Sequence, residues 1–134
     1  MRNLKSVKCL VLISSLTLGL GVKVAAKPWN KPIPEPNSES TPQSIKLAEQ
    51  LNKAGAKFFG AHWCPACKEQ LRLFGKQAGR KLHYVECGMP DQYPSQVEQC
   101  KEAGIKNIPT WTRPGSNRLE GVQSINNLES WSKL

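Results

Sequence analysis

The chain has 134 residues, a formal charge of +9 and five cysteines. That length leaves room for one domain, and the first part of the chain reads as lying outside it. The basic excess is scattered over what read as solvated helix faces; there is no block of like charge and no aromatic-interleaved basic patch, so nucleic acid is not an expected partner.

In chain order, Arg2, Lys5 and Lys8 precede an apolar stretch from Cys9 to Val22, followed by Val24-Ala25-Ala26. A basic start, a short apolar core and small residues at a cleavage point are the parts of a secretory signal. The core is shorter than the ~20 apolar residues a membrane span needs. The reading is a signal peptide over residues 1–26, with an uncleaved anchor over residues 9–22 as its rival. Cys9, directly after Lys8, is badly placed for lipidation and reads as an ordinary residue of that segment. Loss of residues 1–26 removes four cations and no acid, leaving a charge of +5 and four cysteines. An even cysteine count in a chain exported from the reducing cytosol favours two disulfides over free thiols.

Residues 27–43 carry Pro28, Pro32, Pro34, Pro36 and Pro42 among Asn, Ser and Glu. This composition predicts an extended, poorly ordered tether that buries no core. The domain proper is expected over 44–134. Ser44 is placed to cap a helix with the apolar stripe Ile45, Leu47, Ala48, Leu51 and Ala54, closed by Gly55. Residues 57–61 read as a buried central strand. A helix follows Cys67, carries Leu71, Leu73 and Phe74, and is expected to stop near Gly75 or Gly79. Residues 81–87 alternate as a second strand. Pro94 and Ser95 open a helix containing Val97, Cys100 and Ala103, with Gly104 as its stop. Residues 110–112 form a third strand, 113–117 a turn, 118–121 a fourth strand, and Ser124 caps a last helix with Ile125, Leu128 and Trp131 inward. The order α-β-α-β-α-β-β-α describes an α/β protein with a central mixed sheet of about four strands flanked by helices.

The chemistry concentrates in Trp63-Cys64-Pro65-Ala66-Cys67. Two cysteines two residues apart at the first turn of a helix close a small disulfide, and the helix N-terminus favours the thiolate of the first. Such a pair exchanges thiols and disulfides: one sulfur attacks and the other resolves the mixed species. Two plainer readings compete. A zinc ribbon needs a second short-spaced knuckle, whereas Cys87 and Cys100 stand far apart, so no metal is expected. A purely structural Cys64–Cys67 bond closes too short a loop to remove much chain entropy. Ile108-Pro109-Thr110 lies about forty residues downstream, between a polar turn and a strand. A strand-Cys-x-x-Cys-helix unit followed by Ile-Pro-Thr resembles thioredoxin-like proteins.

A narrower resemblance rests on Phe59-Gly60-Ala61-His62-Trp63-Cys64-Pro65-Ala66-Cys67, Leu73-Phe74-Gly75-Lys76, Tyr84-Val85-Glu86-Cys87, Cys100 with Gly104-Ile105, Ile108-Pro109-Thr110-Trp111 and Gly121-Val122-Gln123-Ser124. Over roughly residues 43–134 the chain resembles the thioredoxin-like domain fused to, or working beside, bacterial and plant vitamin K epoxide reductase homologues. That resemblance implies that Cys64 and Cys67 pass electrons from exported cysteine-containing proteins to a quinone-linked membrane thiol oxidase. No bound cofactor is implied. The sequence carries no four-helix membrane domain, so the expectation is a freestanding, monomeric partner.

The roles follow. Cys64 is the exposed nucleophile and Cys67 the more buried resolving thiol. Pro65 starts the helix. Pro109, cis by resemblance, sits against the disulfide and with Ile108, Trp63 and Pro65 lines a groove for an extended peptide, although Trp63 also reads as core. Trp111 reads as core. His62 reads as a solvated loop residue or as a stabiliser of the nearby thiolate. Many reducing thioredoxins carry a buried acid six residues before the first cysteine; here that position is Phe58, which leans the reading towards an oxidant. Cys87 and Cys100 are expected to form a second disulfide from a strand end to a helix, a staple that the resemblance leaves open as an electron relay.

The leading function is an extracytoplasmic dithiol–disulfide oxidoreductase, in a periplasm or thylakoid lumen, that helps form protein disulfides. One rival is a reductase that keeps the thiols of exported proteins open, as in cytochrome maturation. The other is a redox-inert or metal-binding module, against which the intact Cys64/Cys67 pair argues.

Overall fold

The computed structural model describes residues 28–133. The expected signal peptide over 1–26, the alternative anchor over 9–22 and Cys9 lie outside the described residues. Four helices and four strands follow in the expected order: α1 (Pro42–Lys53), β1 (Lys57–Gly60), α2 (Pro65–Lys81), β2 (Tyr84–Glu86), α3 (Pro94–Glu102), β3 (Thr110–Thr112), β4 (Leu119–Glu120) and α4 (Ile125–Ser132).

The apolar run of β1 makes it a central strand. It pairs in parallel with β2 and antiparallel with β3, and β3 carries β4 at the edge, giving the order β2-β1-β3-β4. Strand alternation sends Phe58 and Phe59 to opposite faces. On one face Phe58 stacks on Trp111 at a centroid distance of 4.8 Å and meets Tyr84 edge-on at 5.4 Å. Leu47 and Leu51 of α1, Leu71 and Phe74 of α2, and Leu128 and Trp131 of α4 close over them. Phe59, Val85 and Cys100 form the smaller core on the other face, under α3. This is the thioredoxin-like α/β fold.

The segment before α1 departs from expectation. Residues 28–41 are not a loose tether: Ile33 is fully buried in the main core and Pro36 is buried as well. The Trp29 indole N–H donates to the Ile33 carbonyl at 2.8 Å, and the Glu35 carboxylate pairs with Arg80. The cause lies in α2, which is interrupted at Gly75, with φ +79°. A Cβ there would meet the Glu39 backbone at 2.6 Å, so only glycine admits both the turn and the close approach. The break leaves the Lys76 and Ala78 N–H groups and the Arg72 and Phe74 carbonyls without helical partners. The N-terminal strap supplies them: Lys76 N–H donates to the Ser38 carbonyl, Ala78 N–H to Ser40 Oγ, and Ser38 Oγ donates to the Arg72 carbonyl. The Ser44 hydroxyl donates to Phe74 O at 2.9 Å. Ser44 is therefore a buried bridge, and the cap of α1 is Thr41. The strap belongs to the domain, which begins well before residue 44; proline content marks it as extended, and the backbone groups freed by the α2 break make it ordered.

Candidate active site

β1 delivers the chain to the loop 61–64 at the carboxyl end of the parallel pair. Cys64 is the N-cap of α2 and Pro65 its first residue. Pro65 has no N–H to leave unsatisfied there. Cys64 and Cys67 are disulfide-bonded with Cα atoms 5.3 Å apart, and the Cys67 N–H donates to Cys64 Sγ at 3.1 Å. In the reduced protein the same N–H and the helix dipole stabilise a Cys64 thiolate. Cys64 is 4% exposed and Cys67 0%. The expected order of exposure is present, but in this oxidised state Cys64 is covered rather than open. Part of the cover is the Ile108 carbonyl, whose oxygen lies 4.0 Å from Cys64 Sγ.

The Ile108–Pro109 peptide bond is cis. Pro109 is buried, Ile108 half-buried and Pro65 exposed. The Pro109 carbonyl accepts the Gly121 N–H at 2.8 Å, which ties the loop 121–124 to the site. Gln70, fully buried on α2, holds the same loop: its side-chain oxygen accepts the Gln123 N–H at 2.7 Å and its amide donates to the Gln123 carbonyl. Trp63 is 59% exposed and Val122 41%. They are the large exposed hydrophobics among the described residues, so Trp63 is surface beside Cys64 and not core. Trp111 is in the core.

Cys87 and Cys100 form a second disulfide, with Cα atoms 5.8 Å apart, joining the end of β2 to α3 on the opposite face of the sheet. Cys100 is buried and Cys87 half-buried. Among the described residues no group of three or more His, Cys, Asp or Glu side chains is arranged to hold a metal ion.

Glu86 is fully buried. Its Oε1 accepts the Gly88 N–H at 2.7 Å and the His62 N–H at 3.3 Å, and its Oε2 accepts the Tyr84 hydroxyl at 2.7 Å. Three donors and no acceptor are the pattern of an ionised carboxylate. Burial, then the hydrogen bond and charge of Glu86, push the Tyr84 hydroxyl far above the ordinary tyrosine range, so it stays a donor. His62 is not simply a solvated loop residue: its Nδ1 is buried, without a hydrogen bond, 3.6 Å from Glu86 Oε1. The one signal in the sequence was a glutamate on the inward row of β2, beside Tyr84. Phe58 does displace the acid of the reducing thioredoxins, yet a buried carboxylate lies on the same face of the sheet, on the neighbouring strand opposite Gly60. The inference from Phe58 towards an oxidant therefore loses its basis.

No family model matches the chain. It is 45% identical over 80 residues to the thiol-disulfide oxidoreductase LTO1 of Arabidopsis thaliana, an alignment covering 58% of this chain and 21% of that protein. It is 25% identical over 119 residues to nucleoredoxin of Bos taurus, covering 82% of this chain and 27% of that protein. The chain thus spans about a fifth to a quarter of the length of these relatives.

Proposed function

We propose that the protein is a dithiol–disulfide oxidoreductase acting through Cys64 and Cys67. One observation carries the reading: the two sulfurs are joined at the N-terminus of α2, with the Cys67 N–H on Cys64 Sγ and the cis-proline loop against the pair. The reduced Cys64 thiolate attacks a partner disulfide, forming a mixed disulfide and releasing one partner thiol. Cys67 then attacks Cys64 Sγ, closing the intramolecular disulfide and releasing the second. The reverse sequence oxidises a partner dithiol. The likeness to a plant thiol-disulfide oxidoreductase supports this chemistry.

The finer reading is an exported protein that oxidises cysteine-containing proteins in a periplasm or thylakoid lumen and is reoxidised by a quinone-linked membrane oxidase of the vitamin K epoxide reductase type. Its support is the basic-then-apolar start at residues 2–22 and the family resemblance of residues 43–134. The opposite direction, reduction of disulfides in exported proteins, gains weight from the buried Glu86. Two measurements test the whole: the reduction potential of the Cys64–Cys67 couple, and trapping with Cys67→Ser in the native host. Captured exported proteins together with a membrane quinone-linked oxidase support the oxidant. Captured cytochrome-maturation factors or a reductive membrane donor reverse the direction. A protein that neither reduces insulin nor oxidises reduced ribonuclease is no oxidoreductase.

A further inference from the structure

The resolving sulfur has a proton problem. Cys67 is 0% exposed, so its thiol proton cannot pass directly to water when the sulfur attacks Cys64. Cys67 sits against Gly60: a Cβ built on that glycine would lie 3.2 Å from Cys67 Sγ and 3.0 Å from Tyr84 Cε2. Gly60 is also the register partner of Glu86 across the parallel pair. The lack of a side chain at 60 therefore brings the sulfur, the tyrosine edge and the carboxylate strand together on one face. From Tyr84 the chain of contacts continues to Glu86 Oε2 at 2.7 Å, and from Glu86 Oε1 to the unbonded His62 Nδ1 at 3.6 Å. The His62 side chain is 36% exposed, the first group in this series to reach solvent.

We infer that Tyr84, Glu86 and His62 form the path by which the Cys67 thiol proton leaves for solvent as the disulfide closes, and returns as it opens. The inference rests on the oxidoreductase reading and adds to it the residues that move the proton. In the mixed disulfide, the Cys67 S–H bond breaks, its proton goes to the Tyr84 oxygen, and the Tyr84 proton goes to the Glu86 carboxylate. The Cys67 sulfur then forms a bond to Cys64 Sγ while the Cys64–partner S–S bond breaks. The partner leaves as a thiolate and takes a proton from water. Glu86 passes its proton to His62, whose partly exposed ring hands it on to water. The protein dithiol is oxidised and the partner disulfide reduced; run backwards, the same path reprotonates Cys67 as a leaving group. The titratable groups in contact with Glu86 are Tyr84 from its own strand and His62 from the loop after β1; Cys67 from α2 adjoins the Tyr84 edge across Gly60. From α3 come the neutral Gln96 amide, which accepts the Glu86 N–H, and Cys100, held in its disulfide.

The test uses the full chain, reduced at Cys64 and Cys67 and mixed rapidly with oxidised glutathione, with formation and resolution of the Cys64–glutathione disulfide followed by acid quench and mass spectrometry. Glu86→Gln should form the mixed disulfide at the wild-type rate and resolve it about 10²-fold more slowly at pH 7, the lower end of what a positioned proton acceptor contributes. Its resolution rate should climb with pH where the wild-type rate levels off, because hydroxide must replace the internal base. His62→Ala should resolve several-fold more slowly and recover on addition of free imidazole, a rescue that a merely structural histidine would not show. Wild-type resolution rates and pH dependence in Glu86→Gln overturn the proposal. If that variant does not fold, the half-exposed His62 decides: His62→Ala with a wild-type rate and no response to imidazole overturns it. Wild-type protein that forms no mixed disulfide at all overturns the oxidoreductase reading itself, which separates that failure from this one.

Discussion

The two disulfides of this domain differ in surroundings more than in bonding. Cys64–Cys67 closes a separation of 3 residues at a helix N-terminus, where an N–H points at the first sulfur and a loop carbonyl lies beside it. Cys87–Cys100 closes a separation of 13 residues between a strand end and the side of α3. The polar contacts of its sulfurs are carbonyls, Val85 O near Cys87 and Glu86 O near Cys100, and carbonyl oxygens do not stabilise a thiolate. Loop length and field therefore divide the labour. The short loop constrains the unfolded chain little but sits where a thiolate is favoured. The longer loop constrains it more but offers the thiolate nothing.

The largest effect should separate the pairs outright. Cys64→Ser should abolish exchange with insulin while leaving the fold intact; residual turnover through Cys87 would erase the distinction. Replacing both Cys87 and Cys100 with Ala should do the opposite, lowering stability by about 3 kcal/mol with exchange retained, as expected for a loop of this size. Urea denaturation beside an insulin assay reads both at once, and a loss of turnover without a loss of stability would make the second pair a relay.

The strap offers a stability control away from both sulfurs. Ile33→Ala should cost about 2–5 kcal/mol, the usual range for emptying a buried aliphatic site. A change near zero in the denaturation midpoint would restore the tether. Smaller still, Trp63→Ala should leave stability within about 0.5 kcal/mol, being exposed, while slowing exchange with protein partners more than with glutathione. Equal slowing with both would move Trp63 from partner contact to cysteine chemistry. The finest comparison lies within the active pair: iodoacetamide applied to reduced protein at mildly acidic pH should label Cys64 before Cys67, and the reverse order would exchange their roles.

Most element positions were legible because their signals are local. Proline at 65 and 94 marks helix starts, Ser124 caps α4, and the run at 57–60 is too apolar to be anything but central. β3 falls on residues 110–112 as read, whereas β2 and β4 are trimmed to Tyr84–Glu86 and Leu119–Glu120, since edge residues pair only while the sheet twist allows. Cys-x-x-Cys before a helix is likewise local, because spacing alone brings two sulfurs together.

What escaped the sequence depends on partners distant along the chain. Five prolines in residues 28–42 carry no sign that Gly75, more than thirty residues on, opens α2 and leaves backbone groups that the strap and Ser44 satisfy. Glu86 reads as one polar residue on a short strand until parallel pairing sets it opposite Gly60 and beside His62. By itself, then, the sequence determined the fold class, the order of elements and the reactive cysteine pair, all written in short-range periodicity and spacing. The tertiary structure alone decided that the N-terminal strap is core and that a buried carboxylate meets Tyr84 and His62 beside the site, because burial and hydrogen-bond satisfaction are properties of where residues meet, not of the order in which they are strung.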